Sequence, residues 1–138
     1  MLDHSLTVSL MKIEHLALNV PDPLAMARWY VDHMGLTVKR RYLEAPWGHF
    51  LADDGGAVML ELYGNEKAPR LDLPQVAPPA LHLAFVSRDV EADVKRLVSA
   101  GATLVSGPEM ASNGDGLAML RDPWGVCLQL VKRAEAMI

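Results

Sequence analysis

An internal repeat constrains this chain more than any other feature. Laid on itself, the sequence places HLALNVPD (residues 15–22) over HLAFVSRD (82–89), each run opening on a histidine in a β-like pattern. Each leads into a helix-like segment that stops at a glycine. The first, PLAMARWYVDHM, has Asp22 as N-cap and Pro23 at the first helical position, sets Leu24, Ala27, Val31 and Met34 on one apolar face, and stops at Gly35. The second, VEADVKRLVSA, takes its cap from Ser87 or Asp89, sets Val90, Val94, Leu97 and Val98 on one face, and ends before Gly101. Three extended runs follow each glycine: LTVKRRYLE, GHFLAD and AVMLELY in the first half, ATLVSGP, GLAMLRD and GVCLQLV in the second. DDGG and DPWG mark matching turns before the last run of each half, and the closing strands superpose as LEL over LQL.

The order strand, helix, strand, strand, strand therefore occurs twice. With 138 residues the chain can bury one real core but not two independent ones, so the halves are expected to share theirs. The predicted fold class is α+β, with two βαβββ modules in tandem forming a curved mixed-sheet cleft. Residues 1–11 read as an N-terminal extension without chemistry, 12–63 as the first module, 64–80 as a Pro-rich polar linker, 81–132 as the second module and 133–138 as a tail.

Strand alternation assigns a face to each polar residue. Leu16, Leu18 and Val20 share a face that can pack on a helix, which leaves His15, Ala17 and Asn19 opposite; Leu81, Leu83 and Phe85 leave His82 and Ala84 opposite in the same way. In the closing strands Val58, Leu60 and Leu62 leave Glu61 on the other face, and Val126, Leu128 and Leu130 leave Gln129 there. A lone carboxylate among apolar neighbours is expensive to desolvate and needs a partner. If a pseudo-two-fold axis relates the modules, His15, Glu61, His82 and Gln129 converge as two nitrogen and two oxygen donors. That set suits one divalent ion, Zn, Ni, Fe, Co or Mn, without choosing among them.

Composition removes other classes. Lys plus Arg number 13 against 17 Asp plus Glu, a net charge of −4 with no basic run, so nucleic acid is not an expected partner. No apolar run approaches the roughly 18 residues of a spanning helix, and no membrane partner is expected. The single Cys127 cannot close an intramolecular disulfide, and MLDHSLTVSLMK lacks the basic start and sustained apolar run of a signal peptide, so a cytoplasmic setting is expected.

Over residues 12–132 the chain resembles the vicinal-oxygen-chelate superfamily, which includes glyoxalase I, methylmalonyl-CoA epimerase, extradiol dioxygenases, fosfomycin-resistance enzymes and bleomycin-binding proteins. IEHLALNVPD, MARWYVDHMGL, MLELYG, LHLAFVSRDVEADVKRLVSAGA and RDPWGVCLQLVKR carry the resemblance. It implies metal ligands on the first, fourth, fifth and eighth strands, here His15, Glu61, His82 and Gln129. The eighth-strand position is often glutamate in this family; Gln129 can still ligate through its carbonyl oxygen but cannot take a proton, which leaves Glu61 as the candidate catalytic base. Trp47, His49 and Met119 are candidates to line the cavity mouth, and Arg121 to hold an anionic substrate. The expected function is a divalent-metal-dependent, glyoxalase-like lyase or isomerase acting on a small substrate that chelates through vicinal oxygens. The alternative is a metal-free small-molecule binding or sequestration protein of the bleomycin-resistance type. In either case the family's habit of pairing modules implies a homodimer.

Overall fold

A computed structural model describes residues 9–138; of the expected extension over 1–11, residues 1–8 lie outside the described residues. The chain divides into two compact units, one ending at Arg70 and the other running from Leu71 to Ile138. Among the described residues each unit contains one strand, one helix and three more strands.

In the first unit the order is β1 (His15–Asn19), α1 (Pro23–Met34), β2 (Thr37–Arg41), β3 (His49–Ala52) and β4 (Met59–Tyr63). The sheet order is β1-β4-β3-β2, with β1 parallel to β4 and the other pairs antiparallel. A parallel pair needs a crossover, and α1 with the β2–β3 hairpin supplies it. The Asp22 carboxylate accepts the Ala25 N–H at 3.1 Å, Pro23 occupies the first turn, and Gly35 closes the helix at φ +73°. The buried face of α1 is Pro23, Met26, Ala27, Trp29 and Tyr30, and the helix packs on β3 and β4. This differs from the expected stripe, because Leu24 is left 60% exposed. Turning Met26, Trp29 and Tyr30 inward removes more apolar surface from water than Leu24, Val31 and Met34 would.

In the second unit a short 3-10 turn (Leu73–Gln75) precedes β5 (Leu83–Val86), α2 (Val90–Ser99), β6 (Thr103–Met110), β7 (Gly116–Arg121) and β8 (Cys127–Lys132). The sheet order β5-β8-β7-β6 repeats the first, again with one parallel pair, β5 with β8. Asp89 caps α2 by accepting the Ala92 N–H, while the other candidate, Ser87, donates its hydroxyl to Asp93 at 2.6 Å. Val90, Val94 and Leu97 are buried; Val98 is not.

The turns before β4 and β8 also correspond. Asp53 accepts the N–H of Gly56, and Asp122 accepts the N–H groups of Trp124 and Val126. Gly56 and Gly125 both sit at positive φ, +67° and +98°. One irregularity recurs as well: β2 gains a residue against β3 between Val38 and Arg40, and β6 gains one against β7 between Leu104 and Ser106. Alternation cannot foresee such a bulge, because it moves every later side chain to the opposite face.

The alternation expected of the closing strands holds: Leu60, Leu62, Leu128 and Leu130 are buried, and Glu61 and Gln129 are half-buried on the opposite faces. It weakens at the strand ends. Leu16 is 52% and Val58 44% exposed, and Val58 precedes β4. Among the described residues no helix is long and apolar enough to cross a membrane.

Candidate functional site

The register places the site residues of each unit in matching rows. In the first sheet Ala17, Glu61, Phe50 and Arg40 lie side by side across β1, β4, β3 and β2. In the second, Ala84, Gln129, Met119 and Ser106 do so across β5, β8, β7 and β6. Glu61 and Gln129 thus occupy equivalent positions, as do His15 and His82, each two residues before its row's alanine. His15 is the first residue of β1, whereas His82 stands just before β5.

Within the first unit, His15 Nε2 lies 3.5 Å from a Glu61 carboxylate oxygen. The other ring nitrogen, Nδ1, lies 2.8 Å from Glu14 Oε1, and the ring meets the Phe50 ring edge-on with centroids 5.3 Å apart. If the Nδ1 proton faces Glu14 and Nε2 carries none, the Nε2 lone pair points toward the Glu61 carboxylate. Two acceptors then face each other, and a cation between them resolves the repulsion. Two ligands at a tetrahedral angle with bonds of about 2.1 Å stand about 3.4 Å apart, close to the observed separation. A carboxylate on the remote imidazole nitrogen is also the usual support of a metal-binding histidine. The residues present therefore fit a divalent ion.

His82 repeats part of this arrangement, with Nδ1 2.9 Å from the Pro78 carbonyl and Nε2 left for another partner. Gly48 gives the Glu61 carboxylate room, since a Cβ at that position would stand 3.3 Å from Glu61 Oε2 and 3.5 Å from the Tyr42 ring. Among the described residues, no group of three or more His, Cys, Asp and Glu stands close enough to hold a metal ion; His15 with Glu61 is the assembled pair.

The residues expected to contact substrate are placed differently from one another. Met119 stands beside Gln129 on the same face. Trp47 is 44% exposed at φ +53° in the β2–β3 loop, next to Gly48. His49 is buried on the opposite face from Glu61, in register with Leu62, and its Nδ1 lies 2.6 Å from the Trp47 carbonyl; the strand turns it to the helix side instead of to a cavity mouth. Arg121, the candidate for holding an anionic substrate, is engaged by backbone carbonyls. Its guanidinium donates to the carbonyls of Leu73, Gly125 and Val76 at 3.2, 2.9 and 2.9 Å, which ties the 3-10 turn to the β7–β8 hairpin and uses donors an anionic substrate would need. Cys127 is buried on β8.

The sequence profile of the family described as the glyoxalase/bleomycin resistance protein/dioxygenase superfamily matches residues 12–130. The chain belongs to this superfamily. No curated protein sequence matches it at a significant level. Several solved structures share its fold. An antibiotic binding protein from Streptomyces sp. CB03234, TnmS3, is 22% identical with a TM-score of 0.70, over 92% of this chain and 99% of that one. A glyoxalase family protein from Bacillus cereus is 20% identical with a TM-score of 0.71, over 91% and 96% of the two chains. A glyoxalase I mutant from Zea mays is 22% identical with a TM-score of 0.70, over 90% of this chain and 46% of that one. At these identities the similarity is one of fold, and members with this fold include both enzymes and binding proteins.

Proposed function

We propose that this superfamily member binds one divalent metal ion through His15, Glu61, His82 and Gln129 and acts as a glyoxalase-like lyase or isomerase on a small substrate with adjacent oxygens. The observation that carries the reading is the His15 Nε2 to Glu61 approach of 3.5 Å, with the Glu14 carboxylate 2.8 Å from the remote ring nitrogen. A bound ion would polarise a substrate carbonyl and stabilise the charge that develops on its oxygen. Glu61 takes the proton, because Gln129 at the equivalent position cannot. Gln129 contributes its carbonyl oxygen. Glu14 and the Pro78 carbonyl, each beside an Nδ1, would orient the two rings so that Nε2 faces the metal. Two such chains pair as a homodimer, which covers sheet edges that would otherwise stay open.

A second reading, a metal-free small-molecule binding protein, is favoured by one specific feature: Gln129 leaves the second module without a carboxylate at that position. Titration of the untagged, metal-free chain with Zn²⁺ or Ni²⁺ separates the two. The metal-dependent reading expects one ion per chain, binding lost in His82→Ala, and binding kept in His49→Gln, where the histidine faces the helix. A parent that takes up no ion would support the binding protein instead. Sedimentation at micromolar concentration tests the dimer, and a monomer there would remove it.

A further inference from the structure

The bulge in β2 gives the first sheet something the second lacks. Because one extra residue stands against β3, Lys39 and Arg40 both line a cavity of about 190 Å³ together with Glu14, Phe50 and Met59. Phe50 is in register with Glu61, and Met59 is in register with His15, so the cavity opens on the face that carries the His15–Glu61 pair. Among the described residues neither Lys39 nor Arg40 takes part in an ion pair, whereas Glu14 is committed to His15. Arg41, the next residue, is in register with His49 and belongs to the other face. In the second module the same row ends in Ser106, with Val105 as the extra residue, and carries no charge.

We propose that Lys39 and Arg40 form a subsite for the anionic end of an amphipathic ligand whose apolar middle lies over Phe50 and Met59. This deepens the metal-dependent reading above, and rests on it for the role of the ligand's other end. Neighbouring strands are about 4.8 Å apart, so β2 stands two spacings, roughly 10 Å, from β4. A ligand held at both ends therefore carries a carboxylate or a similar anion about that far from the oxygens it presents to the His15–Glu61 pair. An aryl or short acyl chain fills the interval and stacks on Phe50. The equivalent row of the second module, ending in Ser106, offers no charge to the anionic end. The guanidinium of Arg40 offers a two-pronged contact to a carboxylate, and Lys39 adds a second positive charge.

The test uses cinnamate and its neutral isostere cinnamamide, each titrated calorimetrically into metal-free protein. Cinnamate is expected to bind the parent more tightly than cinnamamide. Arg40→Gln should weaken cinnamate about threefold to tenfold and narrow its advantage over cinnamamide, Lys39 keeping the rest, the range set by a partly solvated charged contact. Arg41→Gln should change neither, and Phe50→Ala should weaken both. Equal binding of the two compounds by the parent, or equal losses in Arg40→Gln and Arg41→Gln, would overturn the subsite. Because no ion is present, these outcomes do not depend on metal binding. Zn²⁺ titration of Arg40→Gln, expected to match the parent, keeps a failure of the metal site distinct from a failure of this one.

Discussion

Gly56 and Gly125 provide a matched pair that tests how far the two modules share one turn while differing in what packs against it. Both follow an aspartate whose carbonyl accepts the glycine N–H, at 3.2 Å from Gly56 to Asp53 and 3.0 Å from Gly125 to Asp122. Both have positive φ. A Cβ on Gly56 meets nothing within 4 Å, whereas one on Gly125 would stand 2.7 Å from Pro74 Cγ, 2.7 Å from its nitrogen and 2.8 Å from its Cδ. Alanine at position 56 therefore meets only the conformational penalty of a left-handed residue, about 1 kcal/mol. Alanine at 125 meets that penalty and must also push the 3-10 turn away from the hairpin, a further ~1–3 kcal/mol of overpacking, for a total of about 2–4 kcal/mol. At this chain length such losses correspond to roughly 4 °C for Gly56→Ala and roughly 8–15 °C for Gly125→Ala. Urea unfolding followed by tryptophan fluorescence, with thermal melts in parallel, measures both. If the two variants lose equal stability, the contact of Gly125 with Pro74 does not constrain the folded chain and the reasoning fails.

Arg121→Met removes three hydrogen bonds to carbonyls and should cost about 2–4 kcal/mol in urea unfolding while leaving cinnamate affinity unchanged; a stable variant with lost affinity would return Arg121 to a ligand-binding role. The Asp115 carboxylate accepts the Ala134 N–H first of all, then the Arg133 guanidinium and the Asn113 amide, and these hold its pKa below the ordinary 3.8. With the folded value depressed, its stabilisation is complete above 3.8 and is lost as pH falls through the folded value, so Asp115→Asn should lower the melting temperature near neutral pH and converge with the parent in strong acid. A gap between the two melts that is unchanged across that range would contradict this. Gln129→Glu should tighten Zn²⁺ binding, since a carboxylate gains more from the ion than an amide dipole does; affinity no better than the parent's would place Gln129 away from the metal.

Much of the fold is legible in the sequence because its signals are local and doubled. Asp22, Pro23 and Gly35 mark both ends of α1, and the apolar alternation around Glu61 and Gln129 holds because one face of each closing strand meets its helix. What escapes the sequence depends on register or on contacts between distant segments. The extra residue in β2 turns Lys39 and Arg40 toward one cavity, and nothing in TVKRR announces it. His49 looks like a site residue beside Trp47 and Gly48, yet a short β3 paired with Leu62 buries it on the helix side. Arg121 binds carbonyls of residues 73 and 76, far along the chain, and no spacing rule points to them. Glu14 lies next to His15 in sequence, where alternation would set it on the opposite face, but its side chain at the strand's start reaches the ring.

His15 and Glu61, proposed to belong to the coordination shell of a divalent ion, can be read at the metal itself by X-ray absorption at the metal edge of the Zn²⁺-loaded chain. The expected result is a shell of nitrogen and oxygen donors at about 2.0–2.2 Å with the outer-shell scattering of two imidazoles, reduced to one imidazole in His15→Ala. A parent spectrum without imidazole scattering, or one that His15→Ala leaves unchanged, would contradict it.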